Sequence, residues 1–195
     1  EGLEPIVKEK VLTSIDKLRA AGAEIIDISL PSLPLALAVY YIVVPAEVSS
    51  NLARYDGQRY GYSNADAKSL EDSYSLSRSQ GFGAEAKRRI MIGTYVLSSG
   101  YYDAYYKKAQ TVRTKLIKEF NDASTKRDLL VGPTTHSQAF KIGENTDNPL
   151  QMYLSDIMTV SANLVGVPAI SLPLSVSAGQ LPVGLQLIAP QKQDA

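Results

Sequence analysis

Residues 4–30 read EPIVKEKVLTSIDKLRAAGAEIIDISL, and this stretch contains two patterns in succession. In its first part apolar residues recur every three or four positions from Val7, with a proline in the first turn and Gly22 after the last, which predicts an amphipathic helix. The run at residues 24–30 is short, rich in β-branched residues and followed by Pro31, which predicts a strand. A helix that leads directly into a strand indicates the α/β class of fold.

The remaining chain continues this alternation. Helices are predicted at 35–50, 70–77, 84–99, 101–120 and 150–164, and strands at 128–131, 169–174 and 183–189. The last two strands are expected to form a β-hairpin. Tyr102 and Tyr105 share the helical spacing of the apolar residues around them, so we interpret both as core residues. The alternative is that these rings stack on nucleic-acid bases.

The composition limits the classes of function. Among 195 residues, Lys plus Arg and Asp plus Glu number 20 each, so the formal net charge is zero and broad electrostatic binding of nucleic acid or anionic lipid is not expected. The absence of cysteine excludes disulfides and thiolate metal sites and fits a reducing compartment. Because the apolar runs are short and interrupted, we expect no membrane span and no export signal. These features favour a cytoplasmic location.

No activated nucleophile is evident in the sequence. The adjacent serines Ser49-Ser50 and Ser98-Ser99 have neither a base nor oxyanion donors beside them. His136 is the only histidine, so a catalytic triad or a metal site cannot be recognised around it. The glycines match no phosphate-binding loop. We therefore expect no catalytic residue and no metal site in this chain.

Opposite charges on two helical patterns suggest a binding function instead. Arg88 and Arg89 stand at the start of one predicted helix, and Asp156 lies within the otherwise neutral run 152–166. An arginine fork can hold a carboxylate by two parallel hydrogen bonds, and an aspartate can hold an ammonium group. Arg89 and Asp156 could therefore bind the two ends of an amino acid. Surface salt bridges are the alternative role for both residues.

Several longer motifs support a more specific interpretation. They are ARYDG at 53–57, SRSQGFG at 77–83, KRRI at 87–90, LSSGYYDAYYKK at 97–108 and NLVGVPAIS at 163–171. These motifs resemble the amidase signature family, and within it the C-terminal half of the A subunits of aspartyl/glutamyl-tRNA amidotransferases. The resemblance implies a partial α/β fold with a mixed β-sheet flanked by helices. It also implies that residues 1–195 are the C-terminal part of a single amidase domain, whose N-terminal catalytic part is absent.

The termini agree with that expectation of a fragment. The chain begins at Glu1 without a methionine and ends shortly after an apolar strand-like run. The resemblance implies that the family's catalytic lysine, cis-serine and nucleophilic serine precede this chain. We therefore expect that the chain alone does not hydrolyse glutamine.

The resemblance also implies a reaction and its partners. The A subunit releases ammonia from glutamine, and the ammonia is used to amidate misacylated Glu-tRNA(Gln). Partners would be the B and C subunits, with Glu-tRNA(Gln) bound mainly through the B subunit. No cofactor is expected in the A subunit, whereas the partner subunit would use ATP and magnesium.

The resemblance implies roles for four residues of the substrate site. Arg89 would bind the α-carboxylate of glutamine and Asp156 its α-amine, while Tyr40 or Tyr41 would line the pocket. The residues themselves leave the alternative that both tyrosine rings are core, because they lie in an apolar helical run. Two other functions stay open from the sequence. One is a different amidase-signature hydrolase of small or fatty amides, and the other is a binding or interaction module without catalysis.

Overall fold

A computed structural model describes residues 2–125, 127–144, 152–153, 155–174 and 178–193. The chain divides into two compact units. The sheet unit comprises Glu1–Leu37 and Val112–Ala195, and the helical unit comprises Ala38–Thr111. The strands described here all lie in the sheet unit, and the helices are shared between the units.

The sheet unit begins with the helix that the opening pattern predicts. Helix α1 spans Pro5–Ala20, with proline at its start and basic residues in its last turn, where they interact favourably with the helix dipole. Gly22 follows with a φ of 100°, a left-handed conformation that favours glycine. The prediction of this helix is therefore confirmed.

The described sheet has three strands in the order β1-β3-β2. Their bounds are β1 Leu130–Pro133, β2 Ala169–Leu174 and β3 Val183–Ile188. Both pairings are antiparallel, with Ile188 of β3 opposite Leu130 of β1 and Ala169 of β2. The predicted hairpin of the last two strands is confirmed. The described strands therefore form an antiparallel sheet, and none of their pairings is the parallel kind that a mixed sheet contains.

The core of this unit lies between α1 and the central strand. Val7 and Val11, one helical turn apart on α1, form a buried cluster with Val183 and Leu185 on one face of β3. Helical spacing on one element and alternate spacing on the other bring these side chains together. Burial of such apolar side chains is the main stabilising contribution to the unit.

The strand predicted at residues 24–30 is not formed, and this prediction was wrong. The run has no regular secondary structure. Its Ile28 and Leu30 instead line an apolar cavity of about 250 Å³ together with Phe120 and β1. A strand needs a neighbour for its backbone hydrogen bonds, and none of the described strands pairs with this run. The apolar residues at 24–30 therefore contribute side-chain contacts to the cavity, although the backbone of this run does not join the described sheet.

The helix predicted at 150–164 is interrupted in the structure. Residues 152, 153 and 155 are helical, turns follow at 156–159, and helix α6 spans Val160–Val165, while residues 150, 151 and 154 lie outside the described residues. Gly166 ends the helix with a φ of 77°. Asp156 therefore lies in a turn before α6, which corrects its predicted position inside a helix.

The helical unit contains the helices that periodicity predicts. They are α2 Ala36–Asn51, α3 Leu70–Gly81 and α4 Ala84–Leu97, followed by a π-helical segment at Tyr102–Lys107 and by α5 Lys108–Ser124. Helix α2 begins in the sheet unit, and α5 continues into it. The side chain of Ser69 caps α3 by accepting a hydrogen bond from the backbone nitrogen of Asp72.

The stretch around α2 passes one test for a membrane span. Among the described residues, Leu33–Arg54 is the one helical stretch whose length and mean hydropathy of 1.5 would suffice. Core helices of soluble proteins pass the same test. On α2 the buried residues Ala36, Val39, Val43 and Ala46 recur along one side. By length and composition this stretch could cross a membrane, so these two properties do not support the prediction that the chain has no membrane span. The buried stripe on α2 is typical of a core helix.

The interpretation of Tyr102 and Tyr105 as core residues was wrong. Tyr102 is 40% and Tyr105 is 43% exposed. Their rings pack on other tyrosines: Tyr102 stacks on Tyr106 with centroids 5.2 Å apart, and Tyr105 stacks on Tyr101 at 6.0 Å. Helical spacing alone cannot distinguish a stripe of mutually stacked surface aromatics from a stripe that faces a core.

Candidate functional site

The candidate site lies where α2 and α4 cross within the helical unit. A Cβ atom on Gly93 of α4 would stand 1.9 Å from the carbonyl oxygen of Pro45 and 2.7 Å from Oγ of Ser49, both on α2. Only a residue without a side chain permits this approach. About one turn earlier on each helix lie Arg89 and Tyr40. The crossing therefore sets the distance between these two side chains.

Arg89 is held by hydrogen bonds from two directions. Its Nε donates to Oε1 of Glu85 over 2.9 Å, and its Nη1 donates to the hydroxyl oxygen of Tyr40 over 3.2 Å. The Arg89 side chain is 25% exposed, so it is partly withdrawn from water. Among the described residues these are its partners, which leaves hydrogens on Nη1 and Nη2 to bind a ligand.

The charges around Arg89 are partly balanced. The carboxylate of Glu85 forms ion pairs with both Arg89 and Arg88. The hydrogen bond from Arg89 holds the pKa of Glu85 below its ordinary value, and burial opposes this only in part. Burial disfavours the charge on Arg89, but the hydrogen bonds to Glu85 and Tyr40 outweigh it and raise the pKa of Arg89. Two guanidinium groups with one carboxylate keep a positive charge, which suits an anionic ligand group.

The two tyrosines proposed for the pocket have different surroundings. Tyr40 places its hydroxyl on Arg89, whereas the ring of Tyr41 packs edge-on against the ring of Tyr40, with centroids 5.1 Å apart and planes at 84°. Both side chains are half-buried. Of the two, Tyr40 is the one with a direct hydrogen bond to the arginine.

Asp156 lies in the sheet unit, on the turn that precedes α6. Its backbone nitrogen donates to the oxygen of Tyr153, and its oxygen accepts from the nitrogen of Thr159, so that both bonds join residues three apart. The nitrogen of Val160 donates to the same oxygen with the four-residue spacing of an α-helix, and α6 begins there. Among the described residues no hydrogen bond or ion pair of its carboxylate is seen. Because Arg89 belongs to the other unit, their joint binding of one ligand stays a prediction.

One serine of each adjacent pair has a local structural role. Oγ of Ser49 donates to the backbone oxygen of Ala46 over 2.8 Å, and Oγ of Ser98 donates to that of Tyr95 over 2.7 Å. Hydroxyl groups at helix ends commonly make such bonds to a preceding turn. Neither bond resembles the contact of a nucleophilic serine with a base.

Comparison with known proteins agrees with the architecture around this site. The Amidase family model matches residues 1–195, and the chain belongs to that family. The fold of a crystallised amidase that is 22% identical superimposes on 99% of the chain with a TM-score of 0.72. The predicted amidase signature fold is thereby confirmed.

Particular relatives within the family are more similar. The chain is 56% identical over its whole length to the A subunit of the glutamyl-tRNA(Gln) amidotransferase from Koribacter versatilis, and 59% identical over 96% of its length to that of Caldanaerobacter subterraneus subsp. tengcongensis. The crystallised A subunit from Thermotoga maritima is 38% identical, covers the whole chain and has a TM-score of 0.72.

The chain spans only part of these relatives. It covers 41% of the Koribacter protein, 38% of the Caldanaerobacter protein and 37% of the crystallised Thermotoga chain. The prediction that the chain is a C-terminal half is therefore not upheld. The matched length is about two fifths of each relative, and nothing in the comparisons assigns it to the C-terminal side.

Two residues of this site were missed by sequence reasoning. Glu85 precedes Arg89 by four residues, a spacing at which opposite charges meet on one face of a helix, so its role could have been read from the sequence. Gly93 stands inside a helical pattern, where glycine is unfavourable and often marks close packing. That signal indicates a close contact but does not identify Pro45 as the partner.

Proposed function

We propose that this chain supplies the glutamine-binding side chains of the A subunit in a glutamyl-tRNA(Gln) amidotransferase. The observation that carries the proposal is Arg89, half-buried and held by Glu85 and Tyr40 with donor hydrogens to spare. The names of the relatives, which are 53–59% identical, supply the reaction. The sequence motifs that carry the resemblance lie in both units.

In this proposal the two ends of glutamine are held by opposite charges. Arg89 donates two parallel hydrogen bonds to the α-carboxylate, and its planar fork fits that group better than a lysine ammonium would. Asp156 accepts hydrogen bonds from the α-ammonium group, since no partner of its carboxylate is found in the part of the chain that the structure describes. Tyr40 limits the rotation of the guanidinium and lines the pocket, with Tyr41 packed behind it.

The amide bond would be cleaved by residues that this chain does not contain. Ser49 and Ser98 make local backbone hydrogen bonds, and the sequence has one histidine and no cysteine. A serine elsewhere in the complete protein would attack the amide carbon and form the acyl-enzyme, while a cis-serine and a lysine would pass its proton to the departing ammonia. Water would then hydrolyse the ester and release glutamate. In the complete assembly with B and C subunits, Glu-tRNA(Gln) would be bound mainly by the B subunit, and the partner subunit would use ATP and magnesium, all in the cytoplasm.

The test uses the complete assembly with two donors of nitrogen. In Arg89→Lys and in Asp156→Asn, we expect the glutamine KM to rise at least tenfold, because each change removes part of a charged hydrogen bond. The rate with free ammonia should stay unchanged, since ammonia does not need the glutamine pocket. Steady-state kinetics with glutamine and with ammonium chloride measure both effects.

Lys87→Gln is the matched control. Lys87 is an exposed cation on the same helix, two residues before Arg89, and its change should leave the glutamine KM within about twofold. Unchanged glutamine kinetics in both Arg89→Lys and Asp156→Asn would overturn the proposal. That result would favour an amidase of small or fatty amides, which has no zwitterion to bind.

A further inference from the structure

The orientation of the Arg89 guanidinium depends on Glu85, which lies one turn earlier on α4. The guanidinium has five N–H donors, and which of them face the ligand determines how a carboxylate can bind. Glu85 occupies the Nε side at 2.9 Å, and Tyr40 takes a hydrogen of Nη1 at 3.2 Å. The hydrogens that remain are those of Nη2 and the second one of Nη1.

We infer that Glu85 is the positioning residue that turns the Nη1–Nη2 end of Arg89 toward the substrate carboxylate, and this inference rests on the proposed function. The Nε–Nη2 edge, which is the other bidentate face of an arginine, is blocked by Glu85 itself. A carboxylate therefore meets one defined face of the guanidinium. Because Glu85 and Arg89 lie four residues apart on α4, the helix fixes their relative placement.

Glu85 is in turn held by a second arginine. Its Oε2 accepts from Nη1 of Arg88, while its Oε1 accepts from Arg89. With each oxygen bonded to a different arginine, the carboxylate has little freedom to rotate away. Tyr40 then fixes the guanidinium from α2, the neighbouring helix. The arginine is thus oriented before any ligand binds, which reduces the entropy lost on binding.

Two simpler roles for Glu85 predict different results. As a mere counter-charge, it would weaken the attraction of Arg89 for an anion, so its neutralisation would tighten glutamine binding. As a mere helix-end acid, it would stabilise the first turn of α4 through the helix dipole, so its loss would lower stability and leave binding alone. The positioning role requires an acceptor atom at the right distance from Nε.

Two substitutions in the complete assembly separate these roles. Glu85→Asp keeps the charge and the acidic first turn but withdraws the oxygens by one methylene group, and we expect the glutamine KM to rise about tenfold. Glu85→Gln loses the charge but keeps an acceptor at full reach, and we expect a KM within about threefold of the unchanged protein. The rate with ammonia should be the same in both, and kcat with glutamine should change less than KM.

The matched control is Glu71, which is likewise the second residue of its helix and is exposed on α3. Glu71→Asp and Glu71→Gln should leave the glutamine KM unchanged. The inference is overturned if Glu85→Asp keeps the original KM, or if Glu85→Gln lowers it, since the second result identifies a counter-charge. If Arg89→Lys raises KM while Glu85→Asp does not, this inference fails alone. If neither changes KM and Asp156→Asn leaves it unchanged too, the proposed function fails as well.

Discussion

The contacts inside the helical unit differ in kind from those inside the sheet unit. In the helical unit α4 meets α2 through Gly93, whose added Cβ would stand 1.9 Å from the carbonyl oxygen of Pro45. In the sheet unit α1 meets β3 through apolar side chains, including Val7 and Leu185. Arg89 therefore lies beside Tyr40 because α4 and α2 cross closely at Gly93 and Pro45, two residues whose side chains have no polar group. The difference also predicts that the two units respond differently to small changes of volume.

The largest loss of stability is expected at Gly93, where the helix crossing leaves no room for a side chain. In Gly93→Ala the new methyl group would overlap the backbone of α2, so the helices must separate, and we expect a loss of about 3 kcal/mol or more in the free energy of unfolding. The separation would also move Arg89 away from Tyr40. Denaturant unfolding measures the loss.

Gly83 provides the control for that change. A Cβ atom on Gly83, at the start of the same helix, would meet nothing within 4 Å, so Gly83→Ala should alter stability by less than about 1 kcal/mol. If Gly93→Ala proved as mild as Gly83→Ala, the crossing would be deformable and the contrast between the units would fail.

A smaller effect is expected from removing volume in the sheet unit. Leu185 of β3 is 5% exposed, and its cross-strand partner Leu172 of β2 is 38% exposed. Leu185→Ala should cost about 2–3 kcal/mol, because it leaves a cavity beside α1, whereas Leu172→Ala should cost less than about 1 kcal/mol. Thermal and denaturant unfolding of the two variants compare them directly. Equal losses of stability would mean that Leu172 is buried to the same extent as Leu185.

The smallest expected effect is on the pH dependence of stability, and it arises from the carboxylate of Glu119 in the sheet unit. Glu119 of α5 accepts hydrogen bonds from Oγ of Ser32 over 2.6 Å and from its backbone nitrogen over 2.9 Å. The side-chain bond, followed by the backbone bond, holds the pKa of Glu119 below its ordinary value of 4.5. The folded form thus binds this proton more weakly than the unfolded form. The resulting stability is present above pH 4.5 and is lost as the pH falls through the lower folded pKa.

Glu119→Gln should therefore reduce the dependence of the melting temperature on pH between about 3 and 5. Melting curves of both proteins across that range give the slopes. Glu85 of the helical unit also has a lowered pKa, so the slope that remains in Glu119→Gln is expected to come in part from Glu85. A slope that does not change on substitution would contradict the role of the Ser32 contacts.

The helices were the most predictable part of the fold. Helices α1, α2 and α4 follow from periodicity and end signals that act within a few residues, and the family follows from motifs such as KRRI at 87–90. The run at residues 24–30 has strand composition, but its ladder would need a partner elsewhere in the chain. Likewise, the spacing of Tyr105 indicated an apolar stripe but could not tell whether that stripe faced a core or other tyrosines.

The sequence by itself determined helices α1, α2 and α4, the α/β class, the family and the choice of Arg89 as a candidate ligand-binding residue. Only the tertiary structure decided that Tyr40 meets Arg89, that Gly93 closes on Pro45 and that β3 is buried while its neighbour β2 is exposed. The physical reason is the range of the interactions. Helical hydrogen bonds and charge pairs join residues three or four apart, whereas helix crossings and strand order join residues that are distant in the chain.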